Sequence, residues 1–378
     1  MKNMNRNSSK TMKYYGSIDG LRAIAAIGII FMHIRANTNF NLSSYSGGID
    51  FLLNTVIPQC TWFVFLFMVI SGFSMCCGYY ERLMNNQISI ITFYEKRYKK
   101  ILPFFALLVL IDFIMAPSFT SVYEAFADLT LTFGLLPNAG ITVIGVGWTL
   151  GVIFLFYMLF PFFVFLIKNI TKAWISLTIA IVYNIICTVY FFDSNHVLKG
   201  FSSKTNILFC AMFFLAGGLI YLYRDTISKK MSEAYRWRLI LLTITIGSWM
   251  VFFIHPCDAM IKGSLLGEIL SNGWYLVTFS LTLIYAVGND SKLLNNRITN
   301  FISGVSMEIY LAHMVVFRGV ERLGIVNFMG GANGEGGIAG YLLLTLLITV
   351  GTIVFAVVVK RLFRMAYAVY CKIKMALP

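Results

Sequence analysis

The sequence predicts an all-α polytopic membrane protein of about ten transmembrane helices, with both termini in the cytoplasm. Three observations lead there. Only 12% of the 378 residues are charged, about half the share of an ordinary globular domain. The mean hydropathy is +0.78. Apolar windows of about 20 residues, the length that crosses a bilayer, recur along the whole chain.

The first span is read at 18–36, in a run of Ile, Ala, Leu and Phe. The basic start before it (Lys2, Arg6, Lys10, Lys13) suits a signal peptide. The apolar run, however, is longer than such peptides use and ends in "HIRANTN", without a small-x-small cleavage pattern, so the segment is read as a retained span. The second span, 57–78, is rich in Phe and Val, and the third, 101–116, is short, with Pro103 near its start. A long loop follows; its "LTLTFGLLP" is apolar over half a span and reads as re-entrant or interfacial. Spans four and five, 146–167 and 173–192, are parted only by a short segment with Lys168 and Lys172. Spans six and seven, 206–223 and 239–256, bracket five basic residues between Arg224 and Arg238. The eighth and ninth, 264–288 and 299–320, flank Lys292 and Arg297. The glycine-rich "GGANGEGG" at 330–337 reads as a flexible outer loop ahead of the tenth span, 340–359. The organisation is therefore a tail at 1–16, one integral membrane domain at 17–360 and a basic tail at 361–378. No tract reads as a separate soluble domain.

The orientation follows from Lys and Arg. With the N-terminus inside, 23 of the 30 fall in inside segments and six in outside ones, with Arg22 inside the first span. That asymmetry is the positive-inside pattern. It also accounts for the net charge of +14, and no basic stripe with interleaved aromatics indicates nucleic-acid binding. The seven Cys include no C-x-x-C, and Cys76, Cys77, Cys187 and Cys210 are read as packing residues. His196 and His255, at outer loops or span ends, form no metal-ligand spacing with carboxylates, and no metal is predicted.

The first span is chemically unusual. A charge within a bilayer costs about 2.5–3.5 kcal/mol on insertion scales, yet Asp19, Arg22 and His33 lie in or beside this run. Arg22 and His33 are eleven residues apart, which at 100° each places them on one helix face, about 16 Å apart along the axis. Asp19 precedes Arg22 by three residues and can pair with it. A neutral imidazole accepts a proton near pH 7, as general-base chemistry on a hydroxyl requires.

These residues suggest a family. "SIDGLRAIAAIGIIFMHI" (17–34) resembles the first span of the acyltransferase family 3 membrane proteins, with an Arg, ten residues, then a His. Further stretches agree in order: "FMVISGF" (67–73) with Ser71, "KRYKKILP" (96–103), the Trp148-led "GWTLGVIFLFYMLFP" (147–161), and "ISGVSMEIYLAHMVVF" (302–317) with His313. Two positions depart from the family pattern. Lys100 replaces the second Arg of an R-x-x-R element, which keeps the charge but loses a bidentate grip. Ile153 stands where many members have a Glu.

The resemblance implies a multi-pass O-acyltransferase of the bacterial plasma membrane, with an acetyl donor expected. Its donor would be acyl-CoA (acetyl-CoA), consumed as a substrate, with no permanently bound cofactor. Its acceptor would be a surface glycan or a lipid-linked sugar precursor. Arg97 and Lys100 would hold the donor's phosphates. His33 would be the base, or the nucleophile of an acyl-His route, with Arg22 and Asp19 beside it. His313, Trp148, Ser71 and Glu308 are candidate pocket residues. His33 and His313 are predicted at similar depth and could line one cavity. Glu308, about 140° around the helix from His313, calls for a partner on another helix. Membrane lipids are the remaining expected partner, and the sequence sets no oligomeric state. The alternative reading is a glycan or lipid exporter in which Arg22, His33 and Glu308 line a pathway. Loss of acyl groups from acyl-CoA in step with product would separate the two.

Overall fold

A computed structural model describes residues 14–43, 45–131, 133–135, 145–191, 206–254 and 264–376. Among these residues the chain is helical and contains no strand. The main helices are α1 (Gly16–Ala36), α2 (Gly47–Met84), α3 (Ile90–Met115), α4 (Phe119–Thr130), α5 (Trp148–Leu166), α6 (Ile170–Val189), α7 (Ile207–Glu233), α8 (Tyr235–Ile254), α9 (Leu265–Gly288), α10 (Arg297–Ser303), α11 (Ser306–Arg322) and α12 (Ile338–Ala376). Eight of them are long and apolar enough to cross a membrane, and nine if α10 and α11 count as one bent span. The protein is an all-α polytopic membrane protein.

The sequence count of about ten differs from this at the third span. Residues 101–116 do fall in a helix, but α3 begins at Ile90 and carries Lys99, Lys100 and Asp112 through its length. Its apolarity is therefore interrupted where the other spans are continuous. The ninth expected span is broken. α10 and α11 meet at 71° around Gly304 and Val305, and such a break frees backbone groups that need partners. Of the half-span "LTLTFGLLP", the described part ends α4 and turns at Leu131 (φ +57°). Leu131 and Phe133 are then buried, with Phe133 stacked on Phe105 of α3. α4 itself lies amphipathic, exposing Phe119, Tyr123 and Phe126.

α1 is the hub, packing against α2, α9, α10, α11 and α12. One apolar core joins α1, α2, α3, α5, α7 and α9, and a second joins the later half of α1 to α11 and α12. The most extensive helix pair is α2 with α7. There a Cβ on Gly72 would collide with the Phe214 carbonyl, and one on Gly217 with the Val69 carbonyl. Only glycines let these backbones touch. Outward faces stay apolar, as with Ile244 and Met250 on α8 and Leu343, Leu346 and Val354 on α12. Apolar outward faces are what a hydrocarbon solvent allows.

The glycine-rich segment at 330–337 is pinned. The Asn39 amide donates to the Gly331 carbonyl at 2.7 Å and the Asn41 amide to the Gly336 carbonyl at 2.8 Å. Phe40, between them, is 8% exposed, and a Cβ on Gly331, Gly336 or Gly340 would enter its ring. The glycines thus form the walls of a phenylalanine socket. That is why the reading of a flexible loop fails here.

Candidate active site

The first turns of α1 hold a polar cluster. Arg22 donates to Ser74 Oγ on α2 at 2.6 Å and lies 3.5 Å from Asp19 Oδ1. The Asp19 carboxylate also accepts from Ser303 Oγ at 2.7 Å and from the Tyr14 hydroxyl at 2.5 Å. Tyr14 precedes the span, and its bond to Asp19 pushes its hydroxyl up to about 12. Asp19 therefore divides its charge among three donors. Arg22, with five N–H groups, keeps capacity for another anion.

Beside this cluster is a cavity of about 180 Å³. Its polar wall comes from Arg22, Ser71, Lys100, Glu308, Tyr310 and Lys360. These belong to α1, α2, α3, α11 and α12, and the α10–α11 break supplies Ser303, Gly304 and Ser306. Irregular backbone at this depth is tolerated where it lines such a space. The Gly304 carbonyl, near the end of α10, accepts from Lys360 Nζ at 2.8 Å. Lys360 also pairs with Glu308 Oε1 at 2.8 Å, which is the partner on another helix that Glu308 requires. Ile153 lines the same cavity, so its one lining carboxylate among the described residues is Glu308.

The wall carries three cations against that one carboxylate. Lys100 has no hydrogen-bond or ion-pair partner among the described residues, while Arg97, Arg22, Glu308 and Lys360 all act on its charge. Lys100 is exposed and lines the cavity. Arg97, one turn earlier, does not line the cavity. It donates to the Tyr79 hydroxyl at 2.5 Å and lies over the rings of Tyr79 (4.7 Å) and Tyr157 (5.7 Å). Tyr79 sits on a wide π turn of α2, Cys76–Tyr80. Arg97 Nε is buried without a hydrogen-bond partner, and no carboxylate pairs with this guanidinium among the described residues. Tyr157 lines the cavity from the other side. Trp148, half-buried at the start of α5, contributes through its neighbours Thr149 and Leu150, which line the cavity where it does not.

The two histidines form a unit. His313 Nε2 lies 3.1 Å from His33 Nδ1. His313 Nδ1 lies 2.6 Å from the Tyr310 carbonyl, and His33 Nδ1 lies 3.1 Å from the Ile29 carbonyl. A carbonyl oxygen only accepts, so His313 Nδ1 must carry a proton, and in the neutral ring its Nε2 is then an acceptor. His33 Nδ1 in turn must be the donor. His33 Nε2 is left with a lone pair and no partner among the described residues. The expectation that both rings line one cavity needs correction. They bond to each other, His313 is fully buried, and neither is among the residues lining the 180 Å³ space. Tyr310 stands between the two regions. Its ring lines the cavity and its hydroxyl donates to Thr149 Oγ1 at 2.8 Å, while its carbonyl holds His313.

Beside this constellation of a hydrogen-bonded histidine pair on α1 and α11 and a cationic cavity stands a match over nearly the whole chain. Residues 15–361 match the family model Acyl_transf_3, described as an acyltransferase domain. The chain belongs to that family. It is a membrane acyltransferase, and neither a curated protein nor a solved structure matches it.

Sequence reasoning about this acyltransferase missed Lys360, Tyr310, Ser74 and Ser303. Lys360 opens the run Lys360, Arg361, Arg364, and reads as topogenic charge. The signal for it was Glu308, a buried carboxylate that needed a cation. Tyr310 lies in the quoted "YLAH" stretch, but nothing in its spacing shows that its backbone and side chain serve two different regions. His196 and His255 lie outside the described residues.

Proposed function

We propose that this acyltransferase moves an acyl group, expected to be acetyl, from cytoplasmic acyl-CoA to a hydroxyl of a surface glycan or its lipid-linked precursor. The protein would lie in the bacterial plasma membrane, both termini inside. The observation that supports the donor side is Lys100, a cation of the cavity wall without a hydrogen-bond or ion-pair partner among the described residues, with Arg97, likewise without a carboxylate partner among them, one turn away outside the cavity. A cluster of cations that outnumbers its carboxylates favours a polyanionic ligand. Arg22 belongs to the same end, since about 16 Å of helix separates it from His33. Its role in this reading is to hold the donor rather than to stabilise charge at the reacting carbonyl.

His33 supports the chemical step. Its Nε2 takes the proton of the acceptor hydroxyl as the oxygen attacks the thioester carbonyl. Collapse of the tetrahedral intermediate forms the ester and breaks the C–S bond, and the proton passes from His33 to the departing thiolate. While His33 is charged, its Nδ1–H donates to His313 Nε2, whose orientation is fixed by the Tyr310 carbonyl. An acyl group would have to pass Tyr310 to reach His33 from the cavity.

The test is donor binding to purified full-length protein. Arg97→Gln with Lys100→Gln should weaken coenzyme A binding at least tenfold while the protein still inserts and remains monodisperse. Lys100→Arg should bind at least as well as the parent. Unchanged affinity in the double Gln variant would return the cluster to a purely topogenic role.

A further inference from the structure

We infer that Lys360 is a third phosphate-binding cation of the cavity, and that Glu308 occupies it as a built-in competitor until the donor arrives. This rests on reading the cavity as the donor site, and it adds residues from α11 and α12 that the basic motif on α3 does not contain.

The argument starts from which contacts can give way. Arg22 is fixed by Ser74 and Asp19, and Asp19 in turn by Ser303 and Tyr14. Arg97 is wedged between two tyrosine rings. Lys360 is different. Its side chain is 30% exposed, it sits on a flexible four-carbon stem, and its Nζ has two acceptors, Glu308 Oε1 and the Gly304 carbonyl, each at 2.8 Å. Losing Glu308 would leave Lys360 still bonded to the helix-end carbonyl. Glu308, its side chain 8% exposed, would give up its ion-pair partner and keep the first turn of α11, where the helix dipole favours negative charge, and the nearby charge of Lys100.

The carboxylate and a phosphate present the same thing to an ammonium group, namely anionic acceptor oxygens. Both residues line the same cavity as Lys100, and both charges act on Lys100. An incoming phosphate that reaches Lys100 is therefore within the field of Lys360 and must displace or repel Glu308. The pair sets the donor's affinity below what three free cations would give.

Coenzyme A affinity of the full-length protein in nanodiscs tests this with three variants. Glu308→Gln should bind about tenfold tighter than the parent, the effect of freeing one charge-assisted hydrogen bond. Glu308→Gln with Lys360→Gln keeps the pair uncharged and should bind at least about tenfold more weakly than Glu308→Gln alone. Lys100→Gln independently reports whether the cavity is the donor site. Equal affinity of Glu308→Gln and the double variant would overturn the role of Lys360. Weaker or unchanged binding by Glu308→Gln would overturn that of Glu308. If Lys100→Gln weakens binding in either case, the donor reading survives the loss of this inference. If Lys100→Gln changes nothing, the donor reading itself fails.

Discussion

Replacing His33 separates catalysis from packing more sharply than any other change. The geometry leaves one free lone pair on the histidine pair, at His33 Nε2. A general base is typically worth about 10²–10⁴ in rate, which at 1.36 kcal/mol per tenfold is about 3–5 kcal/mol of barrier. His33→Ala should therefore lower acyl transfer by at least about a hundredfold. His313 does something smaller. It accepts one hydrogen bond from a charged imidazolium, worth about 1.5–3 kcal/mol, so His313→Phe should cost roughly 10- to 150-fold. Exchanging two neighbours, Met32→His with His33→Met, keeps composition but turns the imidazole by about 100° away from His313, and should match His33→Ala. The assay is transfer of labelled acetyl from acetyl-CoA to endogenous acceptor in membranes at matched protein level, with coenzyme A affinity as the control. Coenzyme A affinity should be unchanged in all three, since neither histidine lines the cavity. A His33→Ala enzyme within tenfold of the parent would refute the base assignment. A His313→Phe enzyme more impaired than His33→Ala would mean the two roles are reversed.

Three further outcomes follow from the fold. Gly217→Val should place side-chain atoms against the Val69 carbonyl and destabilise the α2–α7 contact by about 1–3 kcal/mol, read as a lower melting temperature in detergent. Phe40→Ala empties the glycine socket, a change that costs about 3–5 kcal/mol in a well-packed core. Hydrogen exchange should then rise in 37–42 and 329–337 with little change in α7. For topology, cysteines at Asn86 and Ser232, both exposed, should label only when the inner face is opened, and one at Asn333 should label from outside. Outside labelling at Asn86 would reverse the orientation.

Much of the fold was legible because a bilayer reduces folding to apolar length. The spans around α1, α2, α5, α7 and α12 announce themselves by composition. α3 was legible only as a short span, because its basic first turns carry Lys99 and Lys100 into the same helix. Helical spacing placed Arg22 and His33 on one stripe, and that stripe faces two different places, the cavity and His313. Spacing along a single helix says nothing about where other helices pass. The break at Gly304 was invisible because no proline marks it; its stabilising partner, Lys360, lies 56 residues further along the chain. The glycine run before α12 looked like a linker because glycine content alone does not show that an aromatic ring fills the space their missing side chains leave.

Tyr310 has a consequence for fidelity. A thioester lying near an activated water is lost to hydrolysis, and a carrier that must wait for a slow, membrane-bound acceptor is the more exposed to that loss. On the proposed reading, Tyr310 lies between the compartment lined by Lys100 and the His33 imidazole, held at its hydroxyl by Thr149 and at its backbone by His313. Water that enters beside Lys100 meets no imidazole there, and the one lining carboxylate among the described residues, Glu308, is paired with Lys360. With the donor held as proposed, an idle enzyme would waste little of it, and an acyl group would have to pass Tyr310 before transfer could begin.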